Sequence, residues 1–530
     1  MRKIYLSFAV IAIMIIFAAC KNDAIIENGD FLNETNFKQR EPMNPEELAQ
    51  LDKYELKKDF AIALHRAMSD NVEVRVFLKK EAMKKFDGDF DVLYNYVKCD
   101  ELAGRKFRDW LVPYFESENR LTEIEEQIPA LTIFVPSLPE DSFSAEKWEV
   151  EKDVPMVAIR MFSCNDVPLI TGNPDECFLL DGNVIPGFPV IVLKENETVM
   201  LPQYAGYESF EGEELVSVCG FRFKKPFGPK GNGDPVLTGD EIIDAWNILG
   251  DTYDYWQRDY IYYGITPQNT SGAFKDKYIE AMTTFRMLGT GEQALSILTP
   301  SHANDYTTVG KDPELKPINE IILFGNTPPE FSAAQLWTGG NFVFDVNCDF
   351  MNGITLYKQF PLAPEQLFDI QYQKIVYKFS VLGIVIHEFV LYIPVSVTTK
   401  VAEIDVRFVS WRLQDYSNKW KIAMFESDYG TTAQYTVKGT TSKNTNFSTT
   451  VNSGYGDVKI GTTTGGSTVI TDDYTTTYTV SIVSDKLGEA IVEFGDRVIK
   501  SQSSTPPYYN FYKYQGGNYE FTMRPVIKYD

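Results

Sequence analysis

Asp87, Asp89 and Asp91 alternate with Gly88 and Phe90, an arrangement that offers clustered oxygen ligands to a hard cation such as calcium. Counted from Asp87, the spacing departs from a helix–loop–helix calcium loop: Val92 stands where that loop needs glycine, and Lys98 where it needs a bidentate glutamate. Three acids between two helical stretches also serve as caps and solvated turn residues, so Asp87, Asp89 and Asp91 are a calcium candidate set against an ordinary turn. His387-Glu388 begins an H-E-x-x-H pattern, but position 391 is Leu. The surrounding Val and Ile run also reads as strand, whereas that zinc motif needs a helix. The other histidines, His65 and His302, have no metal-spaced partner nearby in sequence. No G-x-S-x-G elbow, no C-x-x-C and no phosphate-binding glycine loop occurs; the loop 228–233 lacks the following Lys-Ser/Thr. Triads and glycosidase carboxylate pairs assemble in space and leave no local trace. An extracytoplasmic hydrolase is therefore an alternative without a motif, and no cofactor is expected.

Trp246, Tyr253, Tyr255, Trp256, Tyr260, Tyr262 and Tyr263 form a dense aromatic cluster. Trp246, Tyr255, Trp256 and Tyr260 are its candidate sugar-stacking rings; packed together, the same rings would make the core of a domain.

A different chemistry is written at the start. Arg2 and Lys3 precede an apolar run from Ile4 to Ala19, which ends in Phe17-Ala18-Ala19-Cys20. A short positive region, an apolar core and small residues before a cut read as a secretory signal. The run is shorter than the about 20 residues a spanning helix needs. Ala18-Ala19-Cys20 resembles the lipobox of bacterial lipoproteins, with Phe17 where leucine is usual. The resemblance implies a diacylglyceryl group on the Cys20 thiol and a mature chain that begins there. Lys21-Asn22-Asp23 resembles the export tag behind the lipid cysteine of surface-exposed lipoproteins of the Bacteroidota, with Asn22 in place of an acid. Cys164 and Cys177 flank a turn-rich segment; they either bridge in an oxidising compartment or stay buried thiols. A net charge of −24 argues against nucleic acid and against electrostatic binding to anionic lipid.

The positioning elements follow from periodicity. Residues 21–43 are polar and aperiodic, as a tether is. Asn44-Pro45-Glu46-Glu47 then suits a helix start. Leu48, Leu51, Leu56, Phe60, Leu64 and Ala67 continue at helical spacing until Ser69-Asp70-Asn71. Further helices are predicted over Val72–Phe86, Phe90–Val97 and Phe107–Phe115. Short apolar runs (Leu131–Val135, Met156–Phe162, Val190–Leu193) and the turn Asp181-Gly182-Asn183 mark a β-rich middle. Thr238-Gly239-Asp240-Glu241 opens a helix through Trp246. Beyond Trp337 strands prevail: Asn341–Val346, Phe379–Ile386, Phe389–Val397, and a hairpin from Ile404-Val406-Phe408 through Tyr416-Ser417-Asn418 into Trp420–Phe425.

Residues 431–484 are rich in Thr, Ser and Gly. Tyr474, Tyr478, Val480 and Ile482 alternate with Thr and Ser; 447–460, with Phe447 and Val451 on one face, is the predicted partner strand. This stretch resembles the insertion hairpin of aerolysin-type β-pore-forming proteins. The resemblance implies strands that leave the soluble fold and join a transmembrane barrel, with Phe447, Val451, Tyr474, Tyr478, Val480 and Ile482 facing lipid. The remainder resembles exported lipoproteins of the Bacteroidota, including Trp420-Lys421-Ile422 followed by Glu426 and Asp428.

The expected fold class is α+β and multidomain. The expected segments are a signal peptide (1–19), a lipidated tether (20–43), a helical unit (44–128), a mixed β-rich domain with the aromatic helix (129–335), a sandwich-like domain (336–430) and a Thr/Ser-rich β domain (431–530). The expected role is a lipid-anchored outer-membrane or surface protein that binds or presents a protein or glycan without catalysis. A pore-forming protein using residues 444–484 is the alternative.

Overall fold

The computed structural model describes residues 23–25, 53–161, 164–173, 177–196, 215–218, 221–224, 239–299, 315–317, 331–350, 355–381, 384–427, 432–445, 448–451, 457–461, 468–481 and 485–528. For 23–25, 215–224, 315–317, 377–388 and 432–485 it describes the backbone alone. The chain is α+β: a helical N-terminal unit followed by a strand-rich remainder in several sheets.

Helix α1 (Tyr54–Asp70) buries Phe60, Ala61, Leu64, Ala67 and Met68, the stripe that spacings of three and four dictate. Asn71 adopts an extended conformation and its N–H donates to Ala67 O at 3.0 Å, which ends α1 and opens α2 (Val72–Ala82). Under them lies a seven-stranded sheet built from β1 (Asp91–Leu93), β2 (Leu131–Phe134), β3 (Met156–Ile159), β4 (Val167–Ile170), β5 (Cys177–Leu180) and β6 (Val190–Glu195). Its order is 315–317, β5, β4, β3, β6, β2, β1. Helix α1 packs on β3 and β4. The central strands are buried on both faces, so they read as continuous apolar runs instead of alternating ones. One contiguous core runs from these helices into the C-terminal strands.

In the remainder, α3 (Asp240–Leu249) and α4 (Gln257–Tyr263) precede β7 (Tyr278–Met287). Helix α5 (Ala333–Thr338) leads into β8 (Phe342–Asp349) and β9 (Thr355–Leu362), and α6 (Pro364–Leu367) into β10 (Phe368–Val381). Then come β11 (Ile384–Thr399), β12 (Ala402–Arg407), β13 (Lys419–Glu426), β14 (Thr432–Thr445), β15 (Thr468–Ser481), β16 (Asp485–Glu493), β17 (Lys513–Gly516) and β18 (Tyr519–Ile527).

Two four-stranded sheets, β12-β7-β18-β17 and β9-β8-β13-β16, pack face to face. Phe285 of the first meets Phe344 of the second with ring centroids 4.7 Å apart, and Tyr519 OH donates to Ile422 O at 3.2 Å. This makes a sandwich-like body. The other face of the second sheet is polar yet buried: Asp345 accepts from Tyr357 OH at 2.5 Å, and Lys421 pairs with Glu489 at 2.8 Å. Strand β15 runs beside β8. Two long ribbons are formed by β10–β11 and β14–β15, and the remaining strands are short. Among the described residues no helix is long and apolar enough to cross a membrane.

Three local expectations change. Residues 91–93 of the predicted helix Phe90–Val97 are strand β1, because β2 offers them a free edge (Asp91 opposite Phe134); helix survives only over Tyr94–Val97. The predicted hairpin of 404–408 with 420–425 does not form: β12 pairs with β7, and β13 with β8 and β16. The partner of Tyr474–Ser481 is β14, not 447–460; Ser448–Val451 instead pairs with Asp457–Gly461. Of the two alternatives for Cys164 and Cys177, the structure has the second: both are buried thiols and they do not bridge. The β4–β5 register sets Leu169 opposite Phe178, which carries Cys177 toward Ile170 and away from Cys164. Cys99 is disulfide-bonded.

Arg258 ties the sandwich to α4. Fully buried, it donates through Nε and Nη2 to both Glu280 oxygens (2.9 and 3.2 Å), through Nη1 to Asp496 O (2.8 Å) and through Nη2 to Met523 O (3.1 Å). Removing one partner strands a buried charge, so Arg258→Met is expected to lower the unfolding free energy by about 3–5 kcal/mol in urea titrations. Its neighbour Asp259 is also fully buried, with both carboxyl oxygens unpartnered, and burial pushes its pKa well up. A raised folded pKa favours folding only below the ordinary carboxylate pKa, and that contribution is lost as pH rises toward the folded value. Wild-type stability should therefore fall from about pH 4 upward relative to Asp259→Asn, measured by thermal unfolding across pH. Parallel profiles would contradict the burial of an ionisable carboxyl there.

Candidate ligand-binding cleft

The segment after α5 must turn sharply under the loop 85–90. Trp337 and Thr338 are buried at the helix end, and Thr338 Oγ1 donates to Ala334 O at 2.8 Å. Gly340 then takes a left-handed φ of +88°, and a Cβ there would lie 2.8 Å from Asp89 Oδ2. Glycine is thus required both by conformation and by space. The turn is held from below by Lys194, whose Nζ donates to Gly339 O at 2.6 Å, and from above by Asp89, whose two oxygens accept from Asn341 N–H at 3.2 and 3.0 Å.

Between this turn, the loop 85–90, Phe134 of β2 and residues 361–366 lies a cleft of about 250 Å³. Its walls are Phe90, Phe134, Leu336, Trp337, Pro361 and Pro364; Lys85, Asp89 and Glu365 supply charge. The Lys85 ammonium lies 4.0 Å from the Phe90 ring centroid. Trp337 Nε1 is buried without a hydrogen-bond partner among the described residues. An apolar concavity with a few polar groups is the usual form of a small-ligand site, and drug-sized ligands occupy roughly 300–1,000 Å³. This cleft suits one ring or side chain.

Of the three alternating aspartates, Asp87 and Asp91 converge on one amide and Asp89 does not. Asp87 accepts from Asn196 Nδ2 at 2.7 Å and from Asp89 N–H at 3.2 Å. Asp91 accepts from the same Asn196 amide at 3.1 Å and pairs with Lys194 at 3.1 Å. Burial raises the pKa of Asp87, opposed by the Lys194 charge and the Asn196 bond. Asp89 faces the cleft instead. An ammonium already occupies the place a cation would take beside Asp91, and among the described residues no three His, Cys, Asp or Glu groups are placed to hold a metal. The calcium arrangement expected of Asp87, Asp89 and Asp91 is thus replaced by a lysine–amide clamp.

The aromatic cluster is divided by the fold. Trp256 is 2% exposed and belongs to the core, so it offers no face to a sugar. Trp246 and Tyr260 are half-buried, with Lys275 Nζ 5.5 Å from the Tyr260 ring, and Tyr255 is 41% exposed. Asp23 lies in a short tether strand, Asp23–Ile25; Cys20, Lys21, Asn22, Phe447 and Ile482 lie outside the described residues. Val451 ends the strand Ser448–Val451, and Tyr474, Tyr478 and Val480 are on β15. His65 on α1 has Ser69 Oγ 3.3 Å from Nδ1, and burial lowers its pKa. The cleft residues Trp337, Gly340 and Asn341 escape a sequence reading; the pair Gly339-Gly340 after a short helix is their one local signal.

Comparison with known proteins gives no matching family model, no matching curated protein and no matching solved structure.

Lys194→Met would remove the ammonium paired with the buried Asp91 carboxylate and release Gly339. Loss of about 3–5 kcal/mol of unfolding free energy is expected in denaturant titrations. A loss below about 1 kcal/mol would contradict a buried clamp at this place.

Proposed function

We propose that this chain is an exported lipoprotein of the outer membrane, anchored through Cys20 and displayed at the cell surface, that binds a surface glycan or protein without catalysis. The observation that carries the binding role is the cleft of about 250 Å³, walled by aromatic and proline side chains and lined by Lys85, Asp89 and Glu365. Ala18-Ala19-Cys20 behind an apolar run supports the anchor, and a disulfide at Cys99 fits an oxidising compartment. In this reading Phe90 and Phe134 flank an apolar face of the ligand. Ala363→Trp, which fills the mouth of the cleft, is the test. Wild type should bind a member of a glycan array or a surface-protein panel, and the variant should bind it at least about tenfold more weakly, a difference of ~1.4 kcal/mol. Equal binding by both would move the site elsewhere.

A second reading, a pore-forming protein, is favoured by one observation. Strands β14 and β15 pair without a bulge from Thr432 opposite Ser481 to Thr445 opposite Thr468, and pair with no other described strand. Fourteen residues each exceed the about 9–11 that a membrane strand needs. A ribbon beside a sheet whose outer face is charged would detach at lower cost than one on an apolar face. Dye release from liposomes after limited proteolysis, abolished by a disulfide that pins the ribbon, would promote this reading. No release, with the protein monomeric, would eliminate it.

A further inference from the structure

An ammonium lies over each of the two phenylalanine rings that line the cleft. Lys194 Nζ is 4.7 Å from the Phe134 centroid; it is buried and pairs with Asp91 at 3.1 Å. Lys85 Nζ is 4.0 Å from the Phe90 centroid. Lys85 is exposed, and among the described residues no carboxylate pairs with its ammonium. The backbone carries it there: Lys85 takes a left-handed φ of +46°, uncommon for a residue with a Cβ, and its carbonyl accepts from Gly88 N–H at 3.1 Å. Phe134 is thus engaged by a locked, ion-paired lysine, whereas Phe90 carries a lysine that only the ring holds.

The carboxylates of the cleft outnumber that ammonium. Asp89 and Glu365 line it together with Lys85, two negative charges to one positive. Asp89 is fixed in place as it accepts from Asn341 N–H. Glu365, in the first turn of α6, is exposed, and among the described residues it has no ion-pair partner. Lys400 donates to the Glu365 carbonyl at 3.0 Å, but its charge is paired with Asp369 at 3.3 Å. The local field therefore favours a cation over an anion, and a chain of net charge −24 draws basic partners from a distance. A lysine that rests on an aromatic face without a counter-ion is held weakly. An incoming cation can take its place while Lys85 swings into water.

We propose that the cleft takes a basic side chain of a protein partner, an arginine or lysine, against the Phe90 ring with Asp89 and Glu365 as counter-charges, and that Lys85 is the built-in competitor it displaces. The inference rests on the reading of this cleft as the binding site. A guanidinium suits such a place because it is planar, stacks on aromatic faces and pairs with carboxylates. A volume of about 250 Å³ admits one such side chain.

The test is the binding of two fluorescent peptides by the full chain at low ionic strength. Both are neutral Gly-Ser sequences with one central residue, arginine in the first and its uncharged analogue citrulline in the second. The wild-type chain should bind the arginine peptide at least about tenfold more tightly than the citrulline peptide. Lys85→Ala should tighten the arginine complex several-fold by removing the competitor, and Glu365→Gln should weaken it several-fold. Ala363→Trp should abolish the preference. Equal binding of the two peptides, or a weaker arginine complex with Lys85→Ala, would overturn the proposal. So would an arginine preference that survives Ala363→Trp, since it would belong to the acidic surface as a whole. If a glycan binds instead and Ala363→Trp abolishes that binding, the cleft stands as the site and the basic ligand falls. Binding of no peptide, glycan or surface protein would remove both.

Discussion

The C-terminal half depends on one buried ion pair. Arg258 and Glu280 are both fully removed from water, at a desolvation cost that only complete hydrogen bonding can offset. The geometry supplies most of it: both carboxylate oxygens accept from the guanidinium, Tyr262 OH donates to Glu280 at 3.2 Å, and backbone carbonyls from two further segments take two of the three remaining Arg258 hydrogens. Helix α4, strand β7, strand β18 and the turn after β16 therefore share a single set of positions. The aromatic layer of Phe285, Phe344, Phe360 and Tyr519 can then close between the two sheets.

The cleft repeats this logic at smaller scale. Behind its wall lies a buried clamp of Asp87, Asp91, Asn196 and Lys194, and part of that wall is a glycine turn held by Lys194 and Asp89. Rigid support beneath a small apolar opening preorganises a binding site and lowers the ordering cost of occupying it. Such an opening needs no catalytic constellation, which accords with the proposed binding role.

What the sequence discloses is the local part of this. The stripe Leu56, Phe60, Leu64, Ala67 and the break at Asn71 are legible because helix periodicity and capping are local. Strand character around 342–349 and 419–426 is equally legible from Val, Ile and aromatic content. Pairing is not: alternation in Tyr474–Ser481 says which residues share a face, but not that β14 is the partner. Asp91–Leu93 carries helical spacing and becomes a strand because the edge of β2 captures it. The cleft draws on residues near 85, 134, 337 and 363, so only Gly339-Gly340 could have hinted at it. Likewise, the alternation of Asp87, Asp89 and Asp91 suggests convergence, whereas their partners lie far away in sequence, at Asn196, Asn341 and Lys194.

The proposed role requires that Cys20 be the lipid-bearing start of the mature chain. Mass spectrometry of the N-terminal peptide from membranes of an expressing bacterium measures it directly. A lipoprotein yields a peptide that begins at Cys20 and carries the mass of a diacylglyceryl group on its thiol. A peptide that begins elsewhere, or an unmodified Cys20, would contradict the anchor.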